Sequence, residues 1–573
     1  MKKSYLLFTC CLLGSALYAQ SPSKRISTAE RQDMPSYLRA SAEATHGFTT
    51  PPPSPVRTIA EWEELHGLLI SWAAYPGILT EIVRHARLEC PVYIVTSNAS
   101  SVANTLLAAS VDTSNVVMVN SSLNSVWIRD FGPWSAYTNE VDTLLTIDWI
   151  YNRPRPKDDT VPSVIARLLN TPIYLTTTAP WNLVNTGGNF MTDGLGTGFA
   201  SHLITEENPQ HTEAEIDTIM DRFMGIKRYI KMHTLPYDEI HHIDMHMKLL
   251  DEETILFGEY PPGIADGPQI EANMMYVLDH YRSVYGTPYK IIRIPMPAQN
   301  GKYPSNGGDY FTYTNSSFIN KTLIVPTYGI PSDTTALRIY RDALPGYNIV
   351  GINSTQSINA LGALHCITKE VATRDPLLIS QQAISNQSSA AGTYPTEAYI
   401  RHRSGIQSAT LYYRIQSSGM FSALAMSPIP SRPGYWAASI PAQPAGSVIE
   451  YYIEAVSVSG RIQRRPMTAP AGFRQFSIYP ATGVSQSLAL KLQPVFPNPS
   501  SGITCIPVHS HLPQPVTLAL YDLSGKKIQE IYNGELPAGE SRYYADTESL
   551  SGGIYVIRLS SRQEQISMKL VVK

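Results

Sequence analysis

Cys366 lies in Ala363-Leu364-His365-Cys366-Ile367-Thr368, the only cysteine of the globular part of the chain set among polar, reactive-looking neighbours. Two upstream blocks carry possible partners, Trp127-Ile128-Arg129-Asp130 and His242-Ile243-Asp244-Met245-His246. A thiolate is a strong nucleophile, and a nearby cation eases its formation. A guanidinium is a poor electrophile, but two carboxylates can hold its nitrogens by paired charge-assisted hydrogen bonds and orient the central carbon for attack. A histidine can then protonate the departing nitrogen and activate water. Cys366, His242, Asp130 and Asp244 could fill those four posts.

Each residue also has a plainer reading. Asp130, following Arg129, is of a type common in surface turns. His242 could be a metal ligand or a satisfied polar group, and His241, His242, Asp244 and His246 together could hold zinc. In an extended strand 242, 244 and 246 share one face while 241 points away. No His-Glu-x-x-His or paired-cysteine spacing accompanies them, which weighs against zinc.

The chain has 573 residues, 43% of them hydrophobic and 16% charged, so it is a folded protein of several domains rather than a disordered one. Its 44 basic and 47 acidic residues leave a net charge of −3, which supplies no general attraction to nucleic acid. With 43 Pro and 34 Tyr against 13 Phe, it reads as β-rich and exported. Residues 1–19 have the form of a secretory signal: Lys2 and Lys3, an apolar stretch over 5–13, then small residues up to Ala19. That apolar stretch is too short to span a bilayer, and no membrane span is expected in the mature form. Cys10 and Cys11 leave with the signal. The odd set Cys90, Cys366 and Cys505 does not imply a disulfide framework, and Cys90 and Cys505 read as buried strand residues.

The elements that must position these groups follow from periodicity. Residues 20–55 are polar and end in Pro51-Pro52-Pro53-Ser54-Pro55, a leader or linker with little to form a core. Over 56–375 strand-like runs alternate with amphipathic helices, predicted at 79–88, 101–109, 162–169, 212–224, 269–284 and 334–343. Strand pairs are predicted for 190–192 with 197–201, 247–250 with 254–257, and 311–314 with 322–325. Glycine pairs recur in Asn185-Thr186-Gly187-Gly188-Asn189 and Ser305-Asn306-Gly307-Gly308-Asp309. Five strand–strand–helix units suggest a pseudosymmetric α/β assembly, with an ordinary mixed α/β domain as the alternative. Residues 376–482 read as a β-sandwich of immunoglobulin type, and 483–573 as a second β-sandwich module.

Two resemblances sharpen this. Phe496-Pro497-Asn498-Pro499, Leu520-Tyr521-Asp522-Leu523-Ser524-Gly525-Lys526, Leu550-Ser551-Gly552-Gly553-Ile554-Tyr555 and Lys569-Leu570-Val571-Val572-Lys573 resemble the C-terminal sorting domain of the type IX secretion system. That resemblance implies partnership with the secretion machinery, and passage through periplasm and outer membrane to a secreted or surface-attached state. Further blocks lie within 56–375: Trp127 through Trp134, Asp148 through Pro156, Thr186 through Gly194, His242-Ile243-Asp244, Tyr313-Thr314-Asn315-Ser316 and Leu364-His365-Cys366. This region resembles the guanidino-group-modifying enzymes, most closely the Porphyromonas-type peptidylarginine deiminases, with agmatine deiminases more distant.

The resemblance implies a five-bladed α/β propeller around a guanidinium pocket. Cys366 would be the nucleophile, His242 the acid and base, and Asp130 and Asp244 the clamps. Trp127 would pack on the substrate's aliphatic stem and Asn315 would shape the pocket. The implied reaction converts arginine to citrulline and ammonia through a covalent thiouronium, with no metal or organic cofactor. Arg153 and Arg155 match positions that recognise a substrate carboxylate, which favours C-terminal arginine of peptides. Where the family carries tyrosine this chain has Glu239, which could pair with Arg155 or meet an amine. The alternatives are an agmatine or free-arginine deiminase, or a catalytically inactive surface-binding protein.

Overall fold

Apolar runs and amphipathic helices alternate from residue 56 onward and sort into five small sheets. The computed structural model describes residues 23–573 except 44–45, 390–391, 417, 480–489, 496–497, 501, 511–512, 538 and 562–564. The signal-peptide reading of 1–19, with Cys10 and Cys11, lies outside the described residues.

Each sheet pairs a short inner strand antiparallel with a second strand, and a helix then crosses to a third strand parallel to the second. Met191–Thr192, Thr197–Ser201 and Arg228–Met232 form one such sheet, crossed by helix Glu213–Met224. Met247–Leu249, Thr254–Glu259 and Lys290–Pro295 form the next, crossed by Gly267–His280. Ser317–Ile319, Thr322–Thr327 and Asn348–Asn353 follow, crossed by Ser332–Ala343. Another sheet joins Val56–Thr58, Trp134–Thr138, Leu144–Tyr151 and Ile173–Thr176. The last unites the two ends of the region, Lys369–Ala372 pairing antiparallel with Leu65–Ser71, which is parallel to Val92–Thr96. Closure of residue 369 onto residue 69 brings Cys366 back to the start of the domain.

The helices end where local chemistry stops them. Thr212 accepts from Glu215 N, the Glu215 side chain answers at Thr212 N, and Gly225 closes the helix at φ 71°. Helix bounds agree with the predicted spans to within a few residues at each end, where caps rather than periodicity decide.

Two expectations fail. Residues 311–314 form no strand; Ser317–Ile319 pairs with Thr322–Thr327 across the tight turn at Asn320. Thr312 and Thr314 hydrogen-bond each other, and Thr314 reaches the Asp244 carbonyl, so side chains satisfy what a ladder would have. Residues 20–55 are also more than a leader. Thr28–Ala42 is a helix with a Ser27/Glu30 capping box, and Tyr37 is buried against Ile150 and Val184. Its polar composition hid a narrow apolar stripe of Met34, Tyr37 and Leu38.

Beyond residue 376 the chain is built of strands. Two sheets between Leu378–Ser380 and Arg474–Tyr479 enclose one core that includes Tyr394, Leu411, Tyr451 and Phe476. Two more, from Lys491–Leu492 to Gln565–Val572, enclose another with Ile506, Leu518, Ile557 and Leu570. Cys90 and Cys505 are buried free thiols, each pushed up by burial, Cys90 to about 12 and Cys505 to about 11.

Candidate active site

The functional blocks occupy equivalent places in the five sheets. Ile128–Phe131, Gly187–Asn189, Ile243–Met245 and His365–Ile367 are single helical turns, each a few residues before the first inner strand of its sheet. Residues 314–316 run into Ser317–Ile319 in the same way. One turn ends the pairing and aims a side chain at the common centre. Backbones meet there closely enough to require glycine: a Cβ on Gly187 would sit 1.9 Å from the Arg129 carbonyl oxygen. One on Gly188 would sit 2.3 Å from His242 Nδ1.

The structure brings Cys366, His242, Asp130, Asp244, Trp127 and Asn315 together, all of them fully or almost fully buried. The Cys366 thiol faces Asp244 Oδ2 at 3.5 Å, and Asn315 Nδ2 donates to its sulfur at 3.2 Å. Asn315 Oδ1 accepts from Ala363 N and His365 N, so one amide fixes both the sulfur and the turn that carries it. Asp130 Oδ1 accepts from Gly188 N at 3.2 Å and lies 3.7 Å from His242 Nδ1. Thr186 Oγ1 stands 3.4 Å from His242 Nε2. Asp244 Oδ1 is buried without a hydrogen-bond partner among the described residues. The row of 242, 244 and 246 on one strand face is not formed, because Ile243–Met245 is a 3-10 turn. His246 is buried with neither ring nitrogen partnered, and no group of three or more His, Cys, Asp or Glu among the described residues is arranged to hold a metal.

Three participants are not evident from the sequence. His365 Nδ1 lies 2.8 Å from Asp244 Oδ2 and its Nε2 lies 2.9 Å from Glu61 Oε1, which fixes the orientation of Asp244 from behind. His365 adjoins Cys366, and that adjacency is the only signal the sequence carries for it; Glu61 resembles any acidic residue. The third is Lys24, 2% exposed, whose Nζ lies 3.2 Å from Asp130 Oδ2 and 3.3 Å from His242 Nδ1. The same ammonium stands 5.5 Å from the centre of the Trp127 ring. Nothing in a polar leader marks it.

At the mouth, Arg153 Nε donates to the Lys24 carbonyl at 3.0 Å, and Arg155 Nη2 donates to the Ser23 carbonyl at 2.7 Å. Arg155 also pairs with Glu30, and Glu239 pairs in bidentate fashion with Arg25 at 2.5 and 3.0 Å. The expected Glu239–Arg155 pair is therefore not formed, each residue being taken by a different part of the N-terminal segment.

Electrostatics follow this crowding. Burial, with Lys24 next, lowers His242 to about 3, so its imidazole is neutral. Burial and the Asp244 charge push Cys366 up to about 12, with Lys24 opposing, so it is a thiol. Burial would raise Asp244, but the His365 hydrogen bond and the Lys24 charge hold it well below the usual carboxylate range. Burial opposes the Lys24 ammonium too, yet the Asp130 and Asp244 carboxylates outweigh it and hold the cation.

Comparison with known proteins accords with this arrangement. Residues 57–371, more than half of the chain, match the family described as Porphyromonas-type peptidyl-arginine deiminase. Residues 494–573 match the secretion system C-terminal sorting domain, which indicates export to the cell surface or the medium. No helix among the described residues is long and apolar enough to cross a membrane. The chain is 27% identical over 292 residues to the Vibrio parahaemolyticus protein named "Putative agmatine deiminase", covering 45% of this chain and 78% of that one. A Lactococcus lactis protein of the same name is 26% identical over 290 residues, covering 45% and 77%. The solved agmatine deiminase of Enterococcus faecalis shares the fold, with 20% identity, TM-score 0.50, 56% of this chain and 96% of that one covered. On its own residues and on this match, the chain belongs to the Porphyromonas-type peptidyl-arginine deiminase family, hydrolases of guanidino C–N bonds.

Proposed function

We propose that the protein is an exported peptidylarginine deiminase that takes C-terminal arginine of peptides, its five sheets arranged as the blades of a propeller around the site. The observation that carries this reading is the Lys24 side chain, a cation delivered to Asp130, His242 and Cys366 by a polypeptide whose carbonyls rest on Arg153 and Arg155. A guanidinium entering the same way would keep the Asp130 contact and offer further N–H donors to the orphan Asp244 Oδ1. A terminal carboxylate at the Lys24 carbonyl position would turn the Arg153 hydrogen bond, now made to a neutral carbonyl, into an ion pair with charge on both partners. Agmatine has nothing to place there.

In this reading the substrate cation replaces Lys24 beside the sulfur and favours the Cys366 thiolate, whose proton passes to the neutral His242 and makes it the acid for the next step. The thiolate adds to the guanidinium carbon. One terminal C–N bond then breaks, with His242 supplying the proton that lets ammonia leave, and a thiouronium remains on Cys366. His242 next takes a proton from water as it adds to that carbon, the C–S bond breaks, and citrulline is released. Asp130 and Asp244 hold the cation throughout, Trp127 flanks its stem, and Asn315 orients the sulfur.

A second reading is deimination of agmatine, which draws on the names of the 26–27% identical relatives, or of free arginine. The test is ammonia release from peptides with C-terminal or internal arginine, from free arginine and from agmatine, with citrulline followed where arginine is the source. The C-terminal peptide is expected to have the highest kcat/KM. Agmatine preferred over both peptides would refute the peptidyl reading. Cys366→Ala is expected to remove turnover of every substrate while leaving the melting temperature within a few degrees.

A further inference from the structure

The residues that fill the site belong to the chain itself. Ser23 and Lys24 lie along the mouth, Lys24 N donating to Ala360 O at 3.3 Å while Arg153 and Arg155 take the two carbonyls. Arg25 is anchored on Glu239, and Glu30, at the start of helix Thr28–Ala42, on Arg155. Tyr37 docks that helix on Ile150 and Val184. The contacts run in series along residues 23–27 and the helix that follows, and they use the groups assigned above to substrate. We propose that residues 23–42 are a built-in pseudosubstrate: they hold the exported chain latent until withdrawn, and Lys24 takes the place of the substrate arginine.

This inference rests on the deiminase reading and goes beyond it. Lysine suits the role because it has the charge and the length but no electrophilic carbon. Its primary amine can pair with Asp130, yet it offers Cys366 nothing to attack. The segment cannot be consumed by the enzyme it blocks. Removal of a signal after Ala19 would leave Lys24 in place, so latency would survive export across the inner membrane. Glu239 gains a purpose as the anchor for Arg25. Competition favours the tethered segment, since a short tether gives an effective concentration on the order of millimolar. A peptide at about 0.1 mM then starts about tenfold behind, before differences in contact quality are counted.

The experiment compares full-length chains that share the same melting temperature. Lys24→Ala is expected to raise kcat/KM for the C-terminal arginine peptide at least about tenfold over the parent, chiefly through KM. A synthetic peptide of residues 23–30 added to Lys24→Ala should inhibit competitively. Arg25→Glu should give a smaller rise of about two- to fivefold, since its ion pair is largely exposed, and Glu239→Arg in that background should restore latency. Lys24→Arg supplies the missing carbon, so peptide mass spectrometry should find citrulline at residue 24, and none there in the Cys366→Ala counterpart. Equal activity of the parent and Lys24→Ala overturns latency and leaves the deiminase reading standing. Absence of turnover in both, with an unmodified arginine at 24 in Lys24→Arg, would remove the deiminase reading and this proposal with it.

Discussion

At the scale of single residues, the site is governed by which charges are present when the thiol must ionise. His365 touches neither sulfur nor substrate cation, yet its hydrogen bond is the largest influence holding Asp244 ionised against the cost of burial. His365→Ala, in a chain also carrying Lys24→Ala, should let burial raise Asp244, so the acid limb of the kcat/KM–pH profile moves upward while the alkaline limb stays. A merely structural role would lower the plateau without moving the limb. Lys24 is likewise the largest charge opposing protonation of His242. Lys24→Ala should therefore raise the His242 pKa, which imidazole NMR can follow. The stability consequence has a definite sign. The native His242 value lies below the unfolded one, so the unfolded chain binds the extra proton between about 6.5 and about 3. Stability falls as pH drops through that window.

At the scale of elements, the recurring single turn before each inner strand is what gathers distant residues, and glycine makes the gathering possible. Gly188→Ala would drive a methyl group onto His242 Nδ1 and leave it 3.1 Å from Asp130 Oδ1. Overpacking of this kind costs about 1–3 kcal/mol. The predicted outcome is a melting temperature lowered by several degrees together with a loss of kcat of at least about a hundredfold, because the displaced groups are the acid–base and a clamp. The glycine pair, the strand–helix alternation and the block around Cys366 were all readable from residue types, since each is a local pattern with a local cause. Asn315 entered only through the family resemblance, yet its amide proves to fix both sulfur and turn. The failures came where tertiary structure overrode local pattern. Residues 311–314 look like a strand, but Thr312 exchanges hydrogen bonds with the Tyr328 hydroxyl and Thr314 Oγ1 donates to the Asp244 carbonyl. The leader looks too polar to fold, yet Tyr37, the buried Lys24 and the ion pairs of Arg25 and Glu30 dock it. Glu61 and His365 were illegible as partners because no spacing rule links positions 304 residues apart.

At the scale of the whole molecule, the catalytic region and the following β-sandwich are joined by ion pairs that burial makes consequential. Arg461 reaches Glu64, which precedes strand Leu65–Ser71, and Arg465 reaches Glu252 between the paired strands Met247–Leu249 and Thr254–Glu259. Glu252 is 4% exposed and Arg474 stands 4.0 Å from it as a second cation. Burial raises the Glu252 pKa above its ordinary value despite the two arginines, so the carboxylate depends on them for its charge. Removing it takes away the direct ion pair of Arg465 and leaves Asp251 as the neighbouring carboxylate for Arg465 and Arg474, so the cost lies below the about 3–5 kcal/mol of a buried pair broken outright. That cost falls on the union of the two units rather than on either core, since neither apolar cluster includes Glu252. Glu252→Ala should therefore split thermal unfolding in calorimetry into two separated transitions, the earlier one belonging to the sandwich, with kcat at low temperature unchanged. A single transition at the parent temperature would show instead that the units are coupled through their remaining contacts, such as Tyr399 with Glu140 and Arg461 with Glu64. Glu64→Ala, at a pair whose two side chains are each 29% exposed, should have the weaker effect, which makes burial rather than charge the quantity the two variants compare.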